Sequence, residues 1–276
     1  MKVEIFFDEK RTKTATFVIT DSSTKKCAII DSVLDYEPNS GKTYTESADK
    51  VIRFIEINEL KLEWILETHI HADHLTASNY IKQKLGGKIA ISDNIKKVLS
   101  YWVPFFDEKD IPLDGSQFDY LFKDEEEFNI GNIKAKVLYT PGHTPACVSY
   151  YVQNSLFSGD TIFSPKVGTA RTDFPDGSSE QLFDSIQKLY KLPDETKIYV
   201  GHEYPQKDYD PVLITTIGDE KKYNISINSQ TTKQDYVEKM KQKQINLPLP
   251  QLIFPALQVN LWAGKLPKFI KIPIKL

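Results

Sequence analysis

Cysteine is almost absent from this chain: Cys27 and Cys147 are the only two among 276 residues. Two thiols cannot build a disulfide framework, and they suit a reducing compartment. Long apolar runs are missing as well. The longest, around Ile55 and at 197–200, fall far short of the ~20 residues that a membrane-spanning helix needs. The opening MKVEIFFDEKRTKTATFVIT scatters its charges and has no apolar block ahead of a small-residue cleavage site, unlike a secretory signal; it also lacks the Arg- and Ser-rich character of a transit peptide. The expectation is a soluble, cytoplasmic protein with no membrane partner. An excess of basic residues is lacking too. The net charge is −3, which gives no electrostatic case for a nucleic-acid partner. The lysines of LWAGKLPKFIKIPIKL read as a solvated face or an interface rim.

What is present is ordinary globular usage, 40% hydrophobic and 26% charged, in a length that suits one large domain or two small ones. Alternation at 16–20 and 27–31 predicts a strand pair. A helix is predicted over 46–60, with Ala48, Val51, Ile52 and Ile55 on one face. The run 62–66 reads as a strand whose C-terminal end releases ETHIHADH, and LTASNYIKQKL reads as a helix after it. A strand at 88–92 and a helix at 94–101 follow, then an irregular stretch. Strands return at 133–139, 148–152 and 156–157. Ser178-x-x-Gln181 fits a capping box before a helix carrying Leu182, Phe183, Ile186, Leu189 and Tyr190. A last strand at 197–200 runs into Gly201-His202. Strand and helix runs with loops at strand ends predict an α/β arrangement of sheets covered by helices. Residues 1–210 are read as the catalytic domain and 211–276 as a C-terminal extension packed on it.

Histidine is scarce and concentrated. All five fall in three short motifs: His69, His71 and His74 in ETHIHADH, His143 in TPGHTPA, and His202 in VGHEYP. Ordinary histidines scatter, whereas these sit at predicted strand ends near Asp73 and Asp160. In an extended loop His69, His71 and Asp73 would share a face while His74 opens to the other side. Asp160, in LFSGD, would bridge the two resulting pockets or complete one. Imidazole with carboxylate suits zinc, iron or manganese, and the shortage of thiols argues against a structural thiolate zinc site.

These residues carry a family resemblance. His69-x-His71-x-Asp73-His74, Pro141-Gly142-His143-Thr144, Ser158-Gly159-Asp160 and Gly201-His202, in that order over about 15–205, are similar to the motifs of the metallo-β-lactamase superfamily. The resemblance implies a four-layer αββα sandwich with metal in a cleft at one edge of its sheets. Two devices are then open. In the glyoxalase II branch, a zinc-type hydroxyacylglutathione hydrolase with one or two Zn, His69, His71 and His143 would hold one ion, Asp73, His74 and His202 the other, with Asp160 bridging. In the persulfide dioxygenase branch one Fe(II) per chain would sit on His69, His143 and Asp160, leaving His71, Asp73, His74 and His202 as outer residues that orient the ligands or hold a second metal.

Arg171-Thr172-Asp173-Phe174 resembles a signature of the dioxygenase branch that glyoxalase II lacks. Arg171, one of only three arginines, would hold a glutathione carboxylate with two parallel hydrogen bonds, the alternative being an ion pair with a nearby acid. Tyr204 resembles a tyrosine bordering the glutathione site, or it packs. Thr169-Ala170 stands where animal-type members have Cys-Gly, and the tail is similar to bacterial β-lactamase-hydrolase-like proteins, a branch linked to sulfide detoxification. The implied reaction joins glutathione persulfide and O2 to give sulfite and glutathione, with a homodimer as the assembly considered. No G-x-G-x-x-G follows a strand, so no nicotinamide or flavin site is expected. Cys147 reads as a packed thiol. A non-catalytic thiol-binding module of the same fold is the third reading, disfavoured because every candidate ligand is in place.

Overall fold

The strand ATFVITD is buried at all seven positions, and successive side chains of a strand point to opposite faces, so this sheet must be covered on both sides. The computed structural model, which describes residues 1–204 and 210–273, shows how. The first sheet has the order β1 (Lys2–Phe7), β2 (Ala15–Asp21), β3 (Lys26–Ile30), β6 (Lys61–Leu66), β8 (Lys88–Ser92), β9 (Tyr120–Phe122). The second has the order β10 (Glu127–Ile130), β11 (Ile133–Tyr139), β12 (Val148–Val152), β13 (Ser155–Phe157), β14 (Lys197–Tyr199), β15 (Ile214–Thr216). A small third sheet runs β5 (Lys42–Tyr44), β4 (Val33–Glu37), β7 (Leu75–Thr76). The helices are α1 (Glu46–Ile57), α2 (Ser78–Leu85), α3 (Ile95–Phe105), α4 (Ser179–Leu189), α5 (Ile217–Tyr223), α6 (Lys233–Gln244) and α7 (Ile253–Asn260).

Side-chain alternation sorts these elements into layers. Phe17, Ala28 and Leu66 meet Phe128, Val137, Tyr150 and Phe157 between the two large sheets. Val18, Ile29 and Ile65 point the other way, onto Val51, Ile81, Leu99 and Leu257 of α1, α2, α3 and α7. The outer face of the second sheet, with Leu156 and Ile198, is covered by Leu182 and Ile186 of α4, Ile217 of α5, and Tyr236 and Met240 of α6. The result is the expected αββα order. Among the described residues no helix is long and apolar enough to cross a membrane.

Several boundaries move from the sequence reading. The helix predicted over 46–60 stops at Ile57, because Glu59 takes a positive φ of 54° and turns the chain into β6. Leu75 and Thr76, read as the start of a helix, instead pair with β4, and α2 begins at Ser78. The helix at 94–101 continues to Phe105 and takes Pro104 into its last turn. The stretch read as irregular contains β9, parallel to β8, with Phe122 fully buried. Strands β1, β4, β5 and β10 lie outside the strands that the sequence predicts. Ser178 caps α4 by accepting from the Gln181 N–H at 3.2 Å, but its hydroxyl turns to Glu180, so only half of the capping box forms. Beyond 210, β15 extends the second sheet against β14, and α6 and α7 bury Tyr236, Met240, Ala256 and Val259 in the two outer cores.

Candidate metal centre

Strand ends from both large sheets meet at one edge. Strand β3 leads into Asp31, β6 into residues 67–74, β11 into His143, β13 into Asp160 and β14 into His202. The turn before His143 depends on Gly142, whose φ is +142°. A Cβ there would lie 2.4 Å from the Leu182 backbone nitrogen, so only glycine lets α4 approach this closely. The Gly142 carbonyl in turn accepts from the Ser178 N–H at 2.8 Å, which ties the turn to the start of α4.

Three candidate ligands form one group. His69 Nε2 and His143 Nε2 lie 3.9 and 3.7 Å from Asp160 Oδ2, and the ligand atoms of all three are within 4.8 Å of one another. Donors bound to one ion at about 2.1 Å sit at about this separation. His69 Nδ1 is 3.0 Å from Thr68 Oγ1, and His143 Nδ1 donates to the Arg171 carbonyl at 2.7 Å. With the Nδ1 atoms so engaged, each ring turns Nε2 toward Asp160. His69 Nε2 is buried without a hydrogen-bond partner, as are both His71 nitrogens and His74 Nε2. Unmet buried nitrogens at this density are costly in a folded protein, and a cation removes that cost. The donor set therefore fits a metal.

A second group comprises His71, Asp73 and His202. Asp73 Oδ2 lies 3.4 Å from His202 Nε2 and 3.3 Å from His74 Nδ1. Asp160 connects the two groups, with Oδ1 3.2 Å from His202 Nε2. The expectation that His69, His71 and Asp73 share a face is met in part, since the His69 and His71 rings lie 4.0 Å apart and His71 groups with Asp73, but Asp73 also sides with His202, and His74 does not open away: its ring is 4.2 Å from that of His71, fully buried beside Asp73 and Thr14. Bends at residues 68–69 and 72–74 break the extended geometry that a two-residue period requires. Nor, among the described residues, does His74 join any three-residue group.

Electrostatics suit ligand duty. Burial, then the neighbouring His71, pulls His69 well below the ordinary imidazole range, and burial with His74 does the same to His71, so both rings are neutral. Burial opposes ionisation of Asp73, but His202 and His74 outweigh it and hold the carboxyl well below the usual range. Burial likewise opposes protonation of His202, yet Asp160 and Asp73 raise its pKa.

Four contributors were not legible as site residues. Asp31 accepts from the N–H and hydroxyl of Thr68 at 2.8 Å each and lies 3.0 Å from His71 Nε2, and Asp31, Glu67 and His71 form a third group whose ligand atoms are within 4.8 Å of one another. Glu67 is 3.6 Å from the same His71 nitrogen, and burial followed by Asp31 pushes its pKa up to about 8. Thr14 bridges to His202, and its hydroxyl is within 3.4 Å of His74, His202 and Asp73. Asn260 reaches the metal loop from α7. Glu67 stands inside the motif and was read only as its flank. The other three are tens of residues or more from it in sequence.

A cleft of 310 Å³ opens over Asp73, His143 and Asp160, walled by Phe163, Met240 and Leu247 among others. Arg171 lines it, but Nε and Nη2 donate to Asp173 at 2.6 and 2.7 Å, and Nη1 donates to the Pro248 carbonyl at 2.6 Å. The ion-pair alternative for Arg171 is thus present. Tyr204 is half exposed and stacks on His202, with ring planes 12° apart. Lys243 of α6 also lines the cleft. Cys147 is a packed thiol, accepting from the Thr144 N–H at 3.3 Å, and burial raises its pKa to about 12.

The pattern of the Metallo-beta-lactamase superfamily matches residues 11–202. The chain belongs to that superfamily. Within it, the chain is 46% identical to "Glyoxylase B2" of Dictyostelium discoideum, over 99% of this chain and 97% of that protein. It is 42% identical to the "Beta-lactamase hydrolase-like protein" of Xylella fastidiosa over 99% of its own length, and spans 64% of that longer protein. It is 27% identical to the mitochondrial persulfide dioxygenase ETHE1 of Bos taurus, over 93% of this chain and 86% of that one. Among solved metallo-beta-lactamase folds, the crystal structure of ETHE1 from Myxococcus xanthus superposes with a TM-score of 0.77 at 29% identity, covering 96% of this chain and 100% of that one.

Proposed function

We propose that this chain is a mononuclear iron persulfide dioxygenase that converts glutathione persulfide, O2 and water to sulfite and glutathione. The observation that carries the reading is the grouping of His69, His143 and Asp160, a two-histidine, one-carboxylate set of which His143 and Asp160 line the cleft. Likeness to a persulfide dioxygenase along 93% of the chain supports it. An Fe(II) ion on these three residues would supply the electron transfer from sulfur to oxygen. The terminal sulfur of the persulfide loses four electrons on becoming sulfite, which is what one O2 takes up, so no further reductant is needed. The residues do the rest. Phe163, Met240 and Leu247 give the cleft an apolar wall, the Thr68 hydroxyl and the Arg171 carbonyl orient the two ligand rings, and Arg171, Lys243 and Tyr204 border the space where the thiol moiety would lie.

A zinc-type thioester hydrolase is the second reading, and the His71, Asp73, His202 group favours it by offering a place for a second ion. Oxygen consumption separates the two. The iron-loaded protein is expected to consume O2 with glutathione persulfide and release one sulfite for each O2. Absence of uptake, together with rapid hydrolysis of lactoylglutathione by a protein holding two ions, would transfer the assignment to the hydrolase.

A further inference from the structure

Asn260 is the last residue of α7 and is 2% exposed. Its side-chain oxygen accepts from the Thr76 N–H at 2.8 Å, while its Nδ2 donates to the carbonyls of His71 at 2.8 Å and His74 at 2.9 Å. One amide therefore grips the metal loop at three points that bracket Asp73. His71, His74 and Thr76 are themselves buried, so no solvent stands ready to replace those bonds. The surroundings hold the amide in place: Leu257, Val259, Leu261 and Ala263 pack in the same core as Ile70, Ala72 and Leu75. Gly264, at φ +84°, lets the chain pass so close that a Cβ would sit 2.9 Å from the Asn79 nitrogen. A neighbouring tie, from Gln117 Nε2 to the Leu261 carbonyl at 2.7 Å, anchors the same segment without touching the loop.

We infer that Asn260 is a positioning residue of the metal centre, setting the backbone of residues 71–76 and through it the aim of His71, Asp73 and His74. The C-terminal segment is then a working part of the ion site as well as cover for a sheet. The amide is suited to the task because it alone supplies two donors and one acceptor in a plane, where a carboxylate would turn lone pairs toward two carbonyls. The inference rests on the metal-centre reading: with one ion on His69, His143 and Asp160, Asn260 acts through the residues that surround the ligands, and with two ions it acts through His71, Asp73 and His74 as ligands.

The test uses full-length protein loaded with Co(II) as a spectroscopic probe. Wild type, Asn260→Ala, Asn260→Asp and Gln117→Ala are compared by chelator competition and by visible spectrum. Both Asn260 variants are expected to hold Co(II) about 10- to 100-fold more weakly, as loss of residues behind a metal's ligands does, with a shifted ligand-field spectrum. Gln117→Ala is expected to lower thermal stability while leaving affinity and spectrum at the wild-type level. Should Asn260→Ala fail to fold, the isosteric Asn260→Asp carries the same expectation. Unchanged affinity and spectrum in a folded Asn260 variant, or an equal loss in Gln117→Ala, would overturn the inference. A wild-type protein that takes up no Co(II) would instead overturn the metal-centre reading itself, and this one with it.

Discussion

Arg171 faces two ways: its guanidinium grips Asp173 through two hydrogen bonds of 2.6 and 2.7 Å, while its carbonyl accepts from His143 Nδ1 at 2.7 Å. Fixing the side chain therefore also fixes the carbonyl that orients a candidate metal ligand. Arg171→Ala and Asp173→Ala should each lower kcat for persulfide oxidation by about tenfold, the low end for residues behind the ligands. Because both break the same bond, the double variant should be little worse than either alone. Steady-state oxygen uptake checks this. A rise in KM confined to Arg171→Ala would instead mean that the guanidinium binds the substrate carboxylate directly.

Ligand substitutions should separate one ion from two. His69→Ala and Asp160→Ala are expected to emerge from gel filtration without iron, because each removes a donor from the group of three. His71→Ala should retain iron with affinity reduced by about 10- to 100-fold. Iron per chain, measured by mass spectrometry, decides it. Complete loss in His71→Ala would count for the glyoxalase-type arrangement.

Gly142→Ala tests the turn that delivers His143. The added methyl meets the Leu182 backbone at 2.4 Å, and φ +142° is unfavourable for any side chain. The expected destabilisation exceeds about 1 kcal/mol, and iron affinity should fall with it. Urea midpoints of the iron-free proteins report the first effect, chelator competition the second.

On α5, Glu220 is fully buried with one oxygen on Asn224 Nδ2 at 2.6 Å, and burial raises its pKa from 4.5 to about 8. Below pH 4.5 folded and unfolded chains both hold this proton. Between 4.5 and 8 the unfolded chain releases it and the folded chain keeps it, so this carboxyl makes stability fall as pH rises, by at most about 1.4 kcal/mol per unit. Glu220→Gln should remove that slope. Urea unfolding at several pH values between 5 and 8 measures it, and an unchanged slope would show that Glu220 ionises without cost.

The sheets were legible where burial imposes a pattern. Strands β2, β3, β6, β11 and β12 announce themselves through alternating or continuous apolar residues. The edge strand β1 and the small strands β4 and β5 do not, because half-exposed positions and ladders of three to five residues leave little pattern. The candidate ligands were visible because histidine is rare and its spacing tight. Their partition was not: which ring sides with which carboxylate depends on bends at residues 68–69 and 72–74 and on Thr14, Asp31 and Asn260, whose distance along the chain leaves no local signature. Arg171 shows the same limit, since a bidentate grip on Asp173 and one on a ligand carboxylate have identical sequence signals.

The contact between Asn260 and the His71 carbonyl joins positions 189 apart. During synthesis, the loop that presents the histidines is made long before its clasp emerges from the ribosome. Contacts of such long range form late and slowly. A metal ion would thus meet the loop in its final shape only once residue 260 has been made and α7 has docked.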